Sequence, residues 1–341
     1  MENENVSFQD INSLVDNFAN EYYQRHGHLP MFYIVERFLK KELSSNRLIE
    51  SANAMYSLFS DSSCYCKIQT VAHNLNLSKE RVRQLGRKFI LYVLKQDYSY
   101  CPNPAMIKTL FTNVNYWKSI VKKSVKHKAL SKLYVREILQ DENTELNEDF
   151  AIIVLASLLR NHFKLIGTSP FIKTKRTHNY WKNLYLINND VASIFDFDKF
   201  IEMAYYYEYG SDAYILCRID EYAEKYFKNA WNIENYIPYV QDVSPIIGAM
   251  FINELNKKVD VNNRIALRGK RKPIEDVIYD ILSKSKGSMS VDDLFNYVNF
   301  IFCDKIKKKA SILQAVRTDN RLFISNKMVS KRECKINCVR L

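Results

Sequence analysis

Seven polar side chains crowd into the run Lys79 to Lys88: Lys79, Glu80, Arg81, Arg83, Gln84, Arg87 and Lys88. Arginine and lysine donate to phosphate oxygens, and arginine and glutamine can each make paired hydrogen bonds to a base edge. Between them Val82, Leu85 and Phe89 recur at helical intervals, which predicts a helix with an apolar inner stripe and a basic outer face. Such a helix fits the major groove of duplex DNA. A second basic set, Lys307, Lys308, Lys309, Arg317 and Lys327, lies near the end of the chain and is expected on one helix and the hairpin after it. A basic surface of that kind binds phosphates with strong salt dependence.

Groups that carry covalent chemistry are sparse. The 6 histidines include no HExxH pair, and neither GxxxxGK[ST] nor GxGxxG occurs. Cys64 with Cys66, and Cys334 with Cys338, have spacings unlike a thiolate zinc site, and Asp196 with Asp198 lack the further partners a nuclease metal site needs. The expectation is a binding protein, not an enzyme, with no cofactor and no metal.

The elements that must position the basic run are legible around it. Val71, Ala72 and Leu75 predict a short preceding helix, Leu77 plugs the turn, and Ser78 is an N-cap for the basic helix. Upstream, Ile11, Leu14, Val15, Phe18, Phe32, Val35, Phe38 and Leu39 describe a helical platform interrupted at Gly27 to Pro30. His26 and His28 belong to that turn. The break Cys101-Pro-Asn-Pro104 predicts a first domain boundary. Beyond it, Lys118 to Arg136 interleaves seven basic residues with apolar ones, an acidic patch runs from Asp141 to Asp149, and Phe150 to Leu159 reads as an apolar helix. The strip from Lys118 is either a phosphate-binding surface or a solvated helix face. The following centre is aromatic, with Tyr222, Tyr226 and Trp231 expected in a core or an apolar docking surface.

A basic linker, Arg264 to Lys272, is expected to open a third segment. Pro273 suits a first helical turn, Gly287 a helix end, and Ser290 with Asp293 a capping box. A third helix over Ala310 to Val316 and a hairpin turning at Asn326 complete three helices and a β hairpin, the make-up of a winged helix. The expected domains are 1–100, 105–260 and 272–341, in a mainly α, multi-domain fold.

Composition agrees with a folded helical chain. Of 341 residues 47% are hydrophobic, and only 7 are glycine. That is far below the usual share of about 7% and argues against a turn-rich β sandwich. The net charge of +12 is uneven, with eleven Lys/Arg against two Asp/Glu over 305–341 and eleven Asp/Glu against four Lys/Arg over 187–243. Basic ends around an acidic centre predict polyanion contact at the ends. The odd count of 7 cysteines and the absence of CxxC predict a reducing cytoplasm, the polar N-terminus is unlike a signal peptide, and apolar stretches such as Phe150 to Leu159 are too short for a membrane span.

The run Ser78-Lys79-Glu80-Arg81-Val82-Arg83-Gln84-Leu85 resembles the helix-turn-helix in the fourth conserved region of bacterial RNA polymerase sigma factors, over residues 66–95. The resemblance implies promoter-type DNA contact, with Lys79, Glu80 and Gln84 near base edges and Arg81, Arg83 and Lys88 near phosphates. Lysine at 79, where the family has arginine, loses a bidentate guanine contact. Too few residues precede the motif for the family's promoter-melting region, so a working sigma factor is not expected. Ser311-Ile-Leu313 and Asn320-Arg-Leu-Phe-Ile324 are similar to winged-helix modules of the polymerase delta subunit and of proteins beside some restriction enzymes. The function expected is duplex DNA binding by a bacterial-type transcriptional regulator, with polymerase or another protein as a further partner. The alternatives are an adaptor whose acidic aromatic centre holds a protein, or the DNA-binding subunit of a defence or restriction system.

Overall fold

The computed structural model describes residues 11–61, 66–95, 104–172, 180–210, 214–228, 237–268, 274–285, 287–301 and 307–332. They are mainly helical, with small antiparallel sheets, and divide into two compact units, Met1–Phe197 and Asp198–Leu341. No helix among the described residues is long and apolar enough to cross a membrane.

The first unit opens with α1 (Asn17–His26), α2 (Met31–Glu42), α3 (Arg47–Tyr56), α4 (Ile68–Asn74) and α5 (Lys79–Lys95). It continues through α6 (Pro104–Thr112), α7 (Lys118–Ser124), β1 (Ala129–Leu130), α8 (Lys132–Asp141), α9 (Glu148–Leu158), β2 (Phe163–Gly167), β3 (Leu184–Asn188) and α10 (Asn189–Ile194). Its centre is α9, apolar on every side as a helix inside a core must be. Every residue from Asp149 to Leu158 is buried, and the Asn147 side chain starts the helix by accepting from the Asp149 N–H.

One apolar core joins residues from Ile11 to Leu186, with Phe150 6.2 Å from Phe89 and 6.3 Å from Phe111. The boundary expected at 101–104 is therefore corrected. Phe89 and Ile90 of α5 and Leu110 and Phe111 of α6 pack into the same core from either side of it, so 105–197 belongs with the N-terminal helices.

Two buried carboxyl groups stitch α2 to the loop between α8 and α9. Pro30 precedes α2 and offers no capping side chain, so the first N–H groups need another acceptor. Glu142 supplies it, with Oε2 2.6 Å from the Phe32 N–H and 3.3 Å from that of Tyr33. In return Glu36 of α2 accepts from the Glu145 N–H at 2.8 Å and from the Thr144 hydroxyl.

The second unit contains α11 (Phe197–Tyr205), a π-helical turn (Tyr206–Gly210), β4 (Tyr214–Arg218), α12 (Ile219–Glu224), α13 (Ile237–Leu255) and β5 (Arg264–Arg268). Tyr222 and Tyr226 lie in its core as expected, their hydroxyls 3.0 Å apart, around Phe200 and Phe251. Trp231 lies outside the described residues. The π turn delivers Glu208 to Lys257, and their buried ion pair closes at 2.7 Å.

Arg264–Arg268 is not a linker. It pairs antiparallel with Tyr214–Arg218, because Ile265, Ala266 and Leu267 are buried and the basic ends hid a strand. The chain then forms α14 (Ile274–Lys284), β6 (Ser288–Ser290), α15 (Val291–Ile301), α16 (Lys309–Thr318), β7 (Leu322–Ser325) and β8 (Met328–Lys331). Gly287, at φ 85°, donates from its N–H to the Leu282 carbonyl and ends α14. Ser290 accepts from the Asp293 N–H at 3.1 Å, the N-cap half of the expected capping box, and its hydroxyl donates to the Asp293 carboxylate at 2.7 Å. The hairpin turns through Asn326 and Lys327, both with positive φ, as a two-residue turn matched to strand twist requires. Pro273 lies outside the described residues.

One order of elements occurs twice. In the first unit α7, β1, α8, α9, β2 and β3 form a sheet ordered β1-β3-β2; in the second α14, β6, α15, α16, β7 and β8 form one ordered β6-β8-β7. They differ in the third helix of each set. α9 is buried, whereas α16 exposes Ser311, Gln314 and Arg317.

Burial lifts the Glu142 carboxyl from its ordinary 4.5 to about 8. The folded chain keeps a proton that the unfolded chain releases, so the Glu142 contribution is complete below about 4.5 and is lost as pH rises through about 8. Melting curves between these limits should show the wild type losing stability relative to Glu142→Gln, by on the order of a few kcal/mol. Parallel pH profiles for the two proteins would refute the assignment.

Candidate nucleic-acid interface

Helices α4 and α5 are joined by a tight turn, and each step of it has a local cause. Asn76 takes a left-handed conformation at φ 52°, which asparagine tolerates better than most residues. This lets the Leu77 N–H reach the Ala72 carbonyl at 2.8 Å and close α4. Leu77 then tucks against Val71, Ala72, Val82 and Ala54 of α3. Ser78 Oγ accepts from the Arg81 N–H at 3.1 Å, capping α5 as its sequence position predicts.

The fixed point of the arrangement is Gly86. A Cβ at this position would sit 2.7 Å from the Ser51 carbonyl oxygen and 3.2 Å from the Ala52 Cα, so α3 and α5 touch backbone to backbone there. Small residues set that distance. Farther along, Phe89, Ile90 and Val93 carry α5 into the main core.

The opposite side of α5 is entirely exposed at Lys79, Glu80, Arg81, Arg83, Gln84, Arg87 and Lys88. All seven side chains expected to contact DNA thus share one wet face. They are held loosely among themselves: Lys79 Nζ donates to Gln69 Oε1 at 3.1 Å, Arg81 Nη1 to Gln84 Oε1 at 3.1 Å, and Arg83 lies 3.4 Å from Glu80. Lys88 sits 5.2 Å over the Tyr92 ring. Arg87 bonds the hydroxyl of Tyr56, whose proton burial makes harder to remove. Exposed pairs of this kind are worth at most about 1 kcal/mol, so a phosphate or base edge can displace them.

The second basic set is less uniform. Lys308, Lys309, Arg317 and Lys327 are exposed, but Lys307 is half-buried, its N–H donating to Asn299 Oδ1 at 2.6 Å. Lys309 forms an ion pair with Asp292. The Asp292 carboxyl is held below its usual range by Lys309 first and, less strongly, by Lys327. Arg321 is tied to Asp276 and Asp319, each at 2.6 Å, and braces the Tyr279 ring at 4.9 Å. Lys308 and Arg317 carry no ion pair among the described residues.

Sequence reasoning missed Gly86, Gln69 and Tyr56. Gly86 had a signal: an isolated glycine within a strongly patterned helix, in a chain with only 7, marks a close approach. Gln69 and Tyr56 had none, because their partners are set by how three helices cross. No group of three or more His, Cys, Asp or Glu that could hold a metal ion occurs among the described residues. Cys64, Cys334 and Cys338 lie outside them. No family model, curated protein or solved structure matches the chain.

An alanine in an exposed helix normally stabilises relative to glycine by up to about 1 kcal/mol. At position 86 the sign should reverse. Gly86→Ala must push α3 from α5, and urea denaturation should show a loss of about 1–3 kcal/mol. A neutral or stabilised variant would mean the helices do not touch as described.

Proposed function

We propose that the chain is a duplex DNA-binding protein of the transcriptional-regulator type, with α4 and α5 as a helix-turn-helix whose second helix enters the major groove. The observation that carries this reading is the exposed face of α5, five cations and Gln84 with a single carboxylate. Lys79, Glu80, Arg83 and Gln84 would meet base edges or nearby phosphates, and Arg81, Arg87 and Lys88 the flanking backbone.

The C-terminal element order supports reading α14 through β8 as a winged helix, with α16 as its third helix and the turn at Asn326 and Lys327 as its wing. Lys308, Arg317 and Lys327 would add a second phosphate footprint. Two linked sites gain avidity without either being tight. The adaptor reading draws on a different feature, the exposed Tyr206 and Tyr209 of the π turn in the acidic centre. A polymerase or other protein contact would be placed there.

Duplexes selected from a random pool, followed by salt titrations of binding, test the proposal. Arg83→Ala should weaken binding and lower the log–log salt slope by about 0.9 if one phosphate contact is lost. Gln84→Ala should cost about 1–3 kcal/mol on the preferred duplex and less on others. Unchanged affinity and slope in both variants would sink groove reading by α5. If only a combined Lys308→Ala, Arg317→Ala and Lys327→Ala variant binds more weakly, the C-terminal module is the DNA domain and α5 is scaffold.

A further inference from the structure

In the first unit, on surface that the DNA-binding reading does not use, the turn after α1 and the start of α7 enclose a groove of about 650 Å³. Small-molecule sites typically fall within about 300–1,000 Å³. One wall carries Tyr23, His26 and His28, and the other Tyr116, Lys118 and Lys122. None of the described residues lining it is Asp or Glu. Lys118 and Lys122 are one helical turn apart, so they share a face, and neither is paired with a carboxylate among the described residues.

The aromatic wall is built in advance. The His26 ring stacks on Tyr22 at 4.1 Å with 16° between planes, and His28 meets the same ring edge-on at 5.5 Å. Tyr22 is in turn anchored by its hydroxyl, which donates to Asp141 at 2.7 Å. His28 is further placed by Nδ1, 3.2 Å from the Leu29 carbonyl oxygen. Tyr23 remains 48% exposed at the mouth, an aromatic face available for stacking. The side-chain amides of Asn12, Asn20 and Asn115 add donors and acceptors to the lining.

A pair of unneutralised lysines calls for an anion, rings call for a flat partner, and amides call for a heterocycle with polar edges. We propose that this groove binds a free mononucleotide, its phosphate between Lys118 and Lys122 and its base against the aromatic wall. Phosphate held by lysine point charges and a base stacked on an aromatic side chain are both common ways of holding nucleotides. The ligand would bridge the turn after α1 to α7, which packs through Ile120 into the core that also receives α5.

Calorimetric titration of the full chain with each of the four ribonucleoside 5′-monophosphates provides the test. At least one should bind saturably, with its nucleoside and inorganic phosphate each weaker by about tenfold or more. Lys118→Ala with Lys122→Ala, and separately Tyr23→Ala, should each weaken the nucleotide by about tenfold, with far-UV circular dichroism unchanged. Arg83→Ala with Gln84→Ala should bind the nucleotide as the wild type does. The proposal fails if no monophosphate binds saturably, if the lysine variant binds undiminished, or if phosphate alone binds as tightly as the nucleotide. It also fails if the lysine variant loses only duplex affinity, which would make the groove part of a DNA track.

Discussion

The backbone contact between α3 and α5 at Gly86 is the constraint on which the candidate interface depends. Helix α5 has to bury Val82, Phe89, Ile90 and Val93 while keeping five cations in water. A helix can divide itself in this way only if its apolar stripe meets a close neighbour, since a wide gap would either expose the stripe or draw charged stems inward. Any larger residue at 86 would meet the Ser51 carbonyl, which belongs to main chain and cannot rotate away. The Asn76 turn and the Ser78 cap fix the entry of α5, and Gly86 fixes its depth.

Burial, not topology, separates the two copies of the repeated element order. In α7 through β3 the third helix lost its wet face: Ile152, Ile153, Val154 and Leu155 of α9 are all fully enclosed. It serves as the post around which the N-terminal helices gather. In α14 through β8 the third helix keeps Ile312, Ala315 and Val316 inside and Ser311, Gln314 and Arg317 outside. Only the second arrangement leaves its third helix a surface for a partner. The same layout thus acts as scaffold in one place and as a candidate reader in the other, which is why function has to be argued from faces and side chains.

Short-range features were legible in the sequence because their physics is short-range. The caps at Ser78 and Ser290, the close of α14 at Gly287 and the turn at Asn326 each involve residues within a few positions, and the residue types alone determine them. Phe150 to Leu159 could be read as an apolar helix, but not as the centre of a core that ignores the break at Pro104. Such a break marks a change of direction, whereas membership of a core is decided by what packs across it. Strand β5 was hidden because Arg264 and Arg268 bracket a buried stretch of three residues, too short to show alternation. Glu142 looked like one more acid in a charged patch. Its role as the acceptor for α2 arises 110 residues away in sequence, at an N-terminus whose proline left it without a cap.

Charge count alone also misjudges the two basic surfaces. The C-terminal 37 residues carry most of the net charge, yet their described part spends Arg321 on Asp276 and Asp319, and shares Asp292 between Lys309 and Lys327. On α5 the single carboxylate, Glu80, stands 3.4 Å from Arg83 and is itself exposed, with 69% of its side chain in water. A polyanion approaching α5 therefore meets a field that one weak intrahelical pair barely reduces, since such pairs contribute about 0.3–0.5 kcal/mol. Approaching α16, it must compete with carboxylates that already hold two of the cations. The shorter basic run is the stronger candidate for first contact, and the longer one for support once the chain is docked.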